Sequence, residues 1–184
     1  MLRNCCQFVG RKQMSIRNQI GAMLVIAVGT LCATQTAFAD HHVKSGSFEF
    51  LTSFVTDYTV VEQSEQTVTA GSLHGTRTIT KSSGGPWAEG SSQTQVAVIY
   101  ITKSSAGIDL IAAGVQTDSS GDKVFGTGRR TAGDIAVGGG GKGSQTISGG
   151  TGKYEGITGT CEYTVDYLPE NRIVTIGTCD WQRD

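Results

Sequence analysis

Two carboxylates sit where a strand can carry them toward an apolar interior. Glu49 lies between Phe48 and Phe50, and Asp109 lies between Ile108 and Leu110. In an extended chain alternate side chains face opposite sides, so each acid faces away from its two apolar neighbours. If either acid faces a closed interior, burial raises its pKa and makes it a catalytic proton shuttle. If it faces water, it is a solvated surface charge. Trp87, after a Gly-Gly-Pro turn, and Tyr100, within an apolar run, are candidates for the mouth and wall of a substrate pocket. Packing in a core is the alternative for both.

The three histidines offer less. Asp40-His41-His42 would suit Cu(II) or Ni(II) if Asp40 were the first residue of a processed chain. The free amine, two backbone nitrogens and the His42 imidazole then form a square plane. A polar, flexible N-terminus is the simpler reading. His74 sits in Ser-Leu-His-Gly, which reads as a turn, and no GxSxG elbow accompanies it to suggest a hydrolase. Gly138-Gly139-Gly140-Gly141-Lys142-Gly143-Ser144 and Gly150-Thr151-Gly152-Lys153 superficially resemble phosphate loops. Neither fits GxxxxGK[ST], since Gly follows Lys142 and Tyr follows Lys153. The four-glycine run reads instead as a mobile surface loop or a lid over a barrel mouth. No cofactor is expected.

The elements that must hold these residues begin after an export signal. Residues 1–39 contain Arg3, Arg11, Lys12 and Arg17 and no acid, then an apolar run from Ile20 to about Ala33, then Ala37-Phe38-Ala39. That order is a positive region, a short apolar region and a small-x-small cleavage site. The apolar run is shorter than the roughly 20 residues of a membrane span, so a retained anchor is the weaker alternative. Met14 is a second candidate start. A periplasmic or secreted location follows, with no membrane association after cleavage. The whole chain has 15 basic and 16 acidic residues; without the four basic residues of 1–39 it has 11 against 16, a net charge of −5. Such a chain lacks the clustered Lys and Arg that phosphate contacts require, which argues against a nucleic-acid partner. Cys161 and Cys179 are the two cysteines left, an even number suited to an oxidising compartment.

From Asp40 onward the chain reads as short Val-, Ile-, Thr- and aromatic-rich runs punctuated by Gly, Ser, Asn and Asp. Residues 40–46 read as a flexible N-terminus and 47–184 as one domain. Strands are expected at 47–55 and 58–63, 66–70, 75–81, 93–103, 108–117, 123–129, 144–148, 158–167 and 172–181. Eight or nine short strands without helical periodicity predict an all-β fold, a small antiparallel barrel of about eight strands. In the last hairpin, a loop around residues 168–172 pairs positions whose numbers sum to 340. Cys161 then faces Cys179 at a separation a disulfide can span. Tyr163 faces Gly177, Val165 faces Thr175, Tyr167 faces Ile173 and Trp181 faces Gly159. A bridge closing about 17 residues stabilises by roughly 3 kcal/mol in the loop-entropy account.

The stretch Ser148-Gly149-Gly150-Thr151-Gly152-Lys153-Tyr154-Glu155-Gly156-Ile157-Thr158-Gly159, running into a long strand, resembles the barrel family of allene oxide cyclases and plant dirigent proteins. The resemblance lies mainly over residues 148–182. It implies a barrel in which Tyr154 plugs one end or contributes to the substrate site. It also implies an apolar or phenolic small-molecule ligand, and it leaves a homo-oligomer open. The activity implied is an isomerisation or cyclisation by confinement, in which holding a near-attack conformer supplies much of the barrier reduction. The competing expectation is a noncatalytic carrier or an interaction and adhesion barrel. An open apolar cavity holding an ionisable group favours the first reading, and a polar or filled interior favours the second.

Overall fold

A computed structural model describes residues 43–184. The signal region and the His42 metal site expected from the sequence lie outside the described residues. Eight strands form the domain: β1 (Ser45–Glu62), β2 (Gln66–Ser82), β3 (Ser92–Ser104), β4 (Gly107–Thr117), β5 (Lys123–Arg130), β6 (Gly140–Gly150), β7 (Ile157–Leu168) and β8 (Arg172–Arg183). Each strand pairs antiparallel with the next, and β8 pairs with β1, so the sheet closes into an up-and-down barrel. Closure leaves no edge strand among the eight.

The last hairpin has the register predicted from the sequence. Cys161 pairs with Cys179, Tyr163 with Gly177, Val165 with Thr175, Tyr167 with Ile173 and Gly159 with Trp181. The two cysteines are joined in a disulfide facing the interior. The rings, however, lean away from the glycines they face in this hairpin and lie over their partners on the other neighbouring strand, Tyr163 over Gly143 of β6 and Trp181 over Gly46 of β1. A Cβ on Gly177 would meet the Phe50 ring at 2.7 Å, and one on Gly143 would strike the Tyr163 ring. The Trp181 ring lies against Gly46 and Gly85.

Glycine also explains where the expected strands were too short. The separate runs at 66–70 and 75–81 are one strand, β2, that continues through Gly71 and Gly75. A side chain at Gly71 would strike the Asp57 carbonyl, and one at Gly75 the Ser53 carbonyl and the Phe54 ring at 2.7 Å. These glycines permit close approach within a strand and do not end it. His74 therefore points outward from mid-strand and is not in a turn. Likewise Gly140 and Gly141 open β6 rather than forming a loop, because Cβ atoms there would meet the carbonyls of Val165 and Ala132. The runs at 47–55 and 58–63 are the single strand β1.

Aromatic packing closes one end of the barrel. Phe48 stacks on Trp87 at 4.5 Å between ring centroids, and Trp87 meets Tyr154 at 5.1 Å and Trp181 at 5.6 Å. Tyr154 reaches this cluster from a single 3-10 turn, Gly152–Tyr154. Val124, Ile147, Ile157 and the disulfide complete it. At the other end two apolar clusters, one on Phe54, Val165, Tyr167 and Ile173 and one on Ile99, Ile101, Ile108 and Leu110, share the neighbour Ile135. Ile135 belongs to the 131–139 connection, which is tied to β7 by hydrogen bonds from Gly138 N–H to the Tyr167 carbonyl and from Tyr167 N–H to the Gly139 carbonyl.

Candidate functional site

Between the two apolar ends the inward positions become polar and small. On β1 the inward row is Phe48, Phe50, Thr52, Phe54 and Thr56. Thr52 pairs with Arg77 on β2 and with Thr175 on β8. Gln95 on β3 pairs with Gln116 on β4. With Gln145 of β6 these residues form a polar belt around the barrel's waist. Beside the belt, β3, β4 and β5 contribute Ala97, Ala112, Gly114, Gly126 and Gly128. Gly114 pairs with Gly126, and Ala112 with Gly128, so the small residues lie side by side. The opposite wall is bulky, with Phe50, Phe54, Tyr163 and Val165.

The mismatch between a thin wall and a thick one leaves an internal cavity of about 90 Å³. That is smaller than the ~150 Å³ cavity that takes up benzene, and well below the ~300 Å³ at which drug-sized pockets begin. Gly128 makes part of this space directly. A Cβ built there meets nothing closer than the Ala112 Cβ at 3.5 Å, and it has an ordinary strand backbone.

Two guanidinium groups line the cavity, and both are fully buried. Arg77 is 2 % exposed. Its Nε donates to the Thr52 hydroxyl at 3.2 Å and its Nη2 to Gln145 Oε1 at 2.9 Å. The guanidinium carbon lies 3.9 Å from the centre of the Phe50 ring. Its Nη1 has no partner. Burial pulls the Arg77 pKa down to about 9, which leaves it cationic at neutral pH. Arg130 donates from Nη2 to the Tyr167 hydroxyl at 2.8 Å and from Nη1 to the Asp134 carbonyl at 3.4 Å. Burial raises the pKa of Tyr58, Tyr163 and Tyr167, so these phenols stay neutral at neutral pH despite the nearby Arg130 charge. Among the described residues, no Asp, Glu or His lines the cavity.

The residues singled out for chemistry are elsewhere. Glu49 is on the outer face and pairs with Lys81 at 3.0 Å. Asp109 is also outside, 3.5 Å from Arg129. Strand parity accounts for both: each acid is flanked by inward apolar residues, so it faces out. Exposed to water, neither has the burial that would make it a proton shuttle. Tyr100 is 48 % exposed, on the same outer face as Val96 and Val98. It is therefore not part of the internal wall. Trp87 and Tyr154 are buried, but in the closed end rather than around the cavity. The Tyr154 hydroxyl accepts from Gln93 Nε2 at 2.8 Å and lies 3.2 Å from Asp118 Oδ2. Asp118 in turn pairs with Lys153 at 2.6 Å. Among the described residues, no group of three His, Cys, Asp or Glu is placed to hold a metal ion.

Sequence reasoning missed Arg77, Gln95, Gln116, Gln145 and Arg130. A signal was present in Gln93 and Gln95, which alternate with Thr94 and Val96 at the start of β3. Their inward direction was not readable, because the apolar run after them has hydrophobic residues on both faces. Comparison with known proteins adds no assignment: no family model, no curated protein and no solved structure matches this chain.

Proposed function

We propose that this domain binds a small molecule inside its barrel and acts as a carrier or sensor, without acid–base catalysis. The observation that supports this reading most directly is the internal cavity, walled by glycine and alanine on one side and aromatic rings on the other. Small residues at five neighbouring inward positions cost the core packing that larger ones would supply. A cavity kept open in this way has a use if something enters it. The set of groups around it favours binding over reaction. Buried arginines, amides and neutral phenols orient a ligand, whereas the two acids offered for proton transfer are solvated ion pairs outside. The resemblance of residues 148–159 to allene oxide cyclases and dirigent proteins supports enclosure of a ligand but adds no catalytic group. Export fits the same reading: the disulfide suits an oxidising compartment, and residues 1–39 have the order of a signal.

Native mass spectrometry of the purified chain tests the proposal. A bound species under about 100 Da is expected, since the cavity of about 90 Å³ is smaller than the ~150 Å³ one that takes up benzene. It should leave on denaturation. Gly128→Leu projects into the cavity and should lose the ligand while keeping a β-sheet circular dichroism spectrum. An apo mass from every preparation, together with no thermal shift across a panel of small metabolites, would refute the reading.

A further inference from the structure

The cavity carries an electrostatic imbalance that its own side chains do not correct. Arg77 and Arg130 both line it, and among the described residues no carboxylate pairs with either. Arg130 is the better satisfied of the two, through Tyr167 and the Asp134 carbonyl. Arg77 has only neutral acceptors and an aromatic face. A buried cation normally requires a paired anion, because neutral dipoles return little of its lost hydration energy.

The unpartnered polar atoms gather in the same place. Eight buried side-chain nitrogen and oxygen atoms lack a hydrogen-bond partner among the described residues. Four of them belong to cavity-lining residues: Tyr58 Oη, Arg77 Nη1, Gln95 Oε1 and Gln116 Oε1. Buried polar groups in native proteins are rarely left unpaired, and a cluster of them around a cavity indicates groups reserved for a ligand. An amide can turn to present either its oxygen or its N–H groups, so Gln95 and Gln116 can donate to an anion.

We propose that the barrel's ligand is a compact carboxylate whose anionic group seats on Arg77, with Gln95 and Gln116 completing its hydrogen bonds. The inference rests on the ligand-binding reading given above. The guanidinium fork suits a carboxylate because two parallel N–H donors match its two oxygens. Phe50 and Phe54 face the small-residue wall across a narrow gap, which suits a short or flat apolar body. The cavity volume of about 90 Å³ excludes long chains.

The test uses the purified chain and three probes at matched ionic strength: sodium butyrate, the neutral butyramide and sodium chloride. Binding is read by calorimetry and by the arginine Nε–Hε signals in nitrogen-15 NMR. Butyrate should saturate and shift the Arg77 signal, and butyramide should bind at least about tenfold more weakly. Arg77→Met should lose butyrate binding, while Arg77→Lys, which keeps the charge but not the fork, should retain a measurable part of it. Equal binding of butyrate and butyramide would overturn the anion assignment and leave the ligand-binding reading standing. Saturable binding of chloride as tight as that of butyrate would overturn the carboxylate. A copurified neutral molecule would also overturn this inference while supporting the broader reading. The wild-type comparison of acid with amide decides the matter even if an Arg77 variant fails to fold.

Discussion

Asp118 shows how one side chain fastens a turn. Its side chain is only 5 % exposed, yet it accepts from Lys153, from the Ser120 backbone and hydroxyl, and from Asp122 N–H. Burial opposes its ionisation, but the Lys153 and Ser120 hydrogen bonds and the Lys153 charge outweigh this and bring its pKa down to about 2. A carboxylate that is more acidic folded than unfolded contributes stability above its unfolded pKa of about 4 and loses it as the pH falls toward 2. Asp118→Asn should therefore lower stability at pH 7 by about 2 kcal/mol, since each pKa unit corresponds to ~1.4 kcal/mol. Denaturant melts at pH 7 and pH 2 check this, and the difference between wild type and variant should shrink to under about 0.5 kcal/mol at pH 2, where the folded carboxyl is half protonated. At the same scale, little of the candidate site was legible in the sequence. Arg77 and Arg130 stand among threonines and glycines that give no sign of burial, and their inward direction depends on strand register. Tyr100 failed for the related reason that Val96, Val98 and Tyr100 are as apolar as Ala97, Ile99 and Ile101.

Strands and hairpins were more legible where opposed residues constrained each other. The β7–β8 pairing followed from two cysteines and a turn, and the structure has that register throughout. Replacing both Cys161 and Cys179 by Ala should cost roughly 3 kcal/mol, or about 10 °C in Tm for a domain of this size. Differential scanning calorimetry measures it, and a drop of under 2 °C would show that the hairpin does not depend on its bridge. Glycine was the misleading signal at this scale. Gly71, Gly140 and Gly141 read as breaks, but each admits a neighbouring carbonyl within a continuous strand. Gly177→Ala isolates the effect: its Cβ would press on the Phe50 ring and the Glu162 carbonyl. Overpacking of that kind typically costs 1–3 kcal/mol, and an urea midpoint unchanged from wild type would contradict it.

At the scale of the whole molecule, strand count and turn spacing were enough to predict a barrel, because closure is the remedy for eight strands with few charged edges. The interior was not predictable in the same way. Which residues face inward depends on parity in every strand at once, and a bulge at Thr80 of β2, opposite Glu49 and Phe50, or at Ser148 of β6, opposite Phe125 and Gly126, shifts the register of those strands locally. The barrel's two ends differ in construction. One is filled by rings anchored to the disulfide, and the other is covered in part by Ile135 from a connection held by backbone bonds. On the ligand-binding proposal the second end is the route of entry, since parting it would leave the aromatic stack intact.

The seam between β1 and β8 joins the first strand of the domain to the last. As the chain folds, β1 must therefore wait, one flank unsatisfied, until the last strand, roughly a hundred and ten residues further on, reaches it. Pairing so distant in sequence is slow to nucleate, and an open flank of Phe, Val and Thr invites union with another nascent copy. A guardian that holds the emerging chain would matter most in that interval, and its need would end when the final strand arrives.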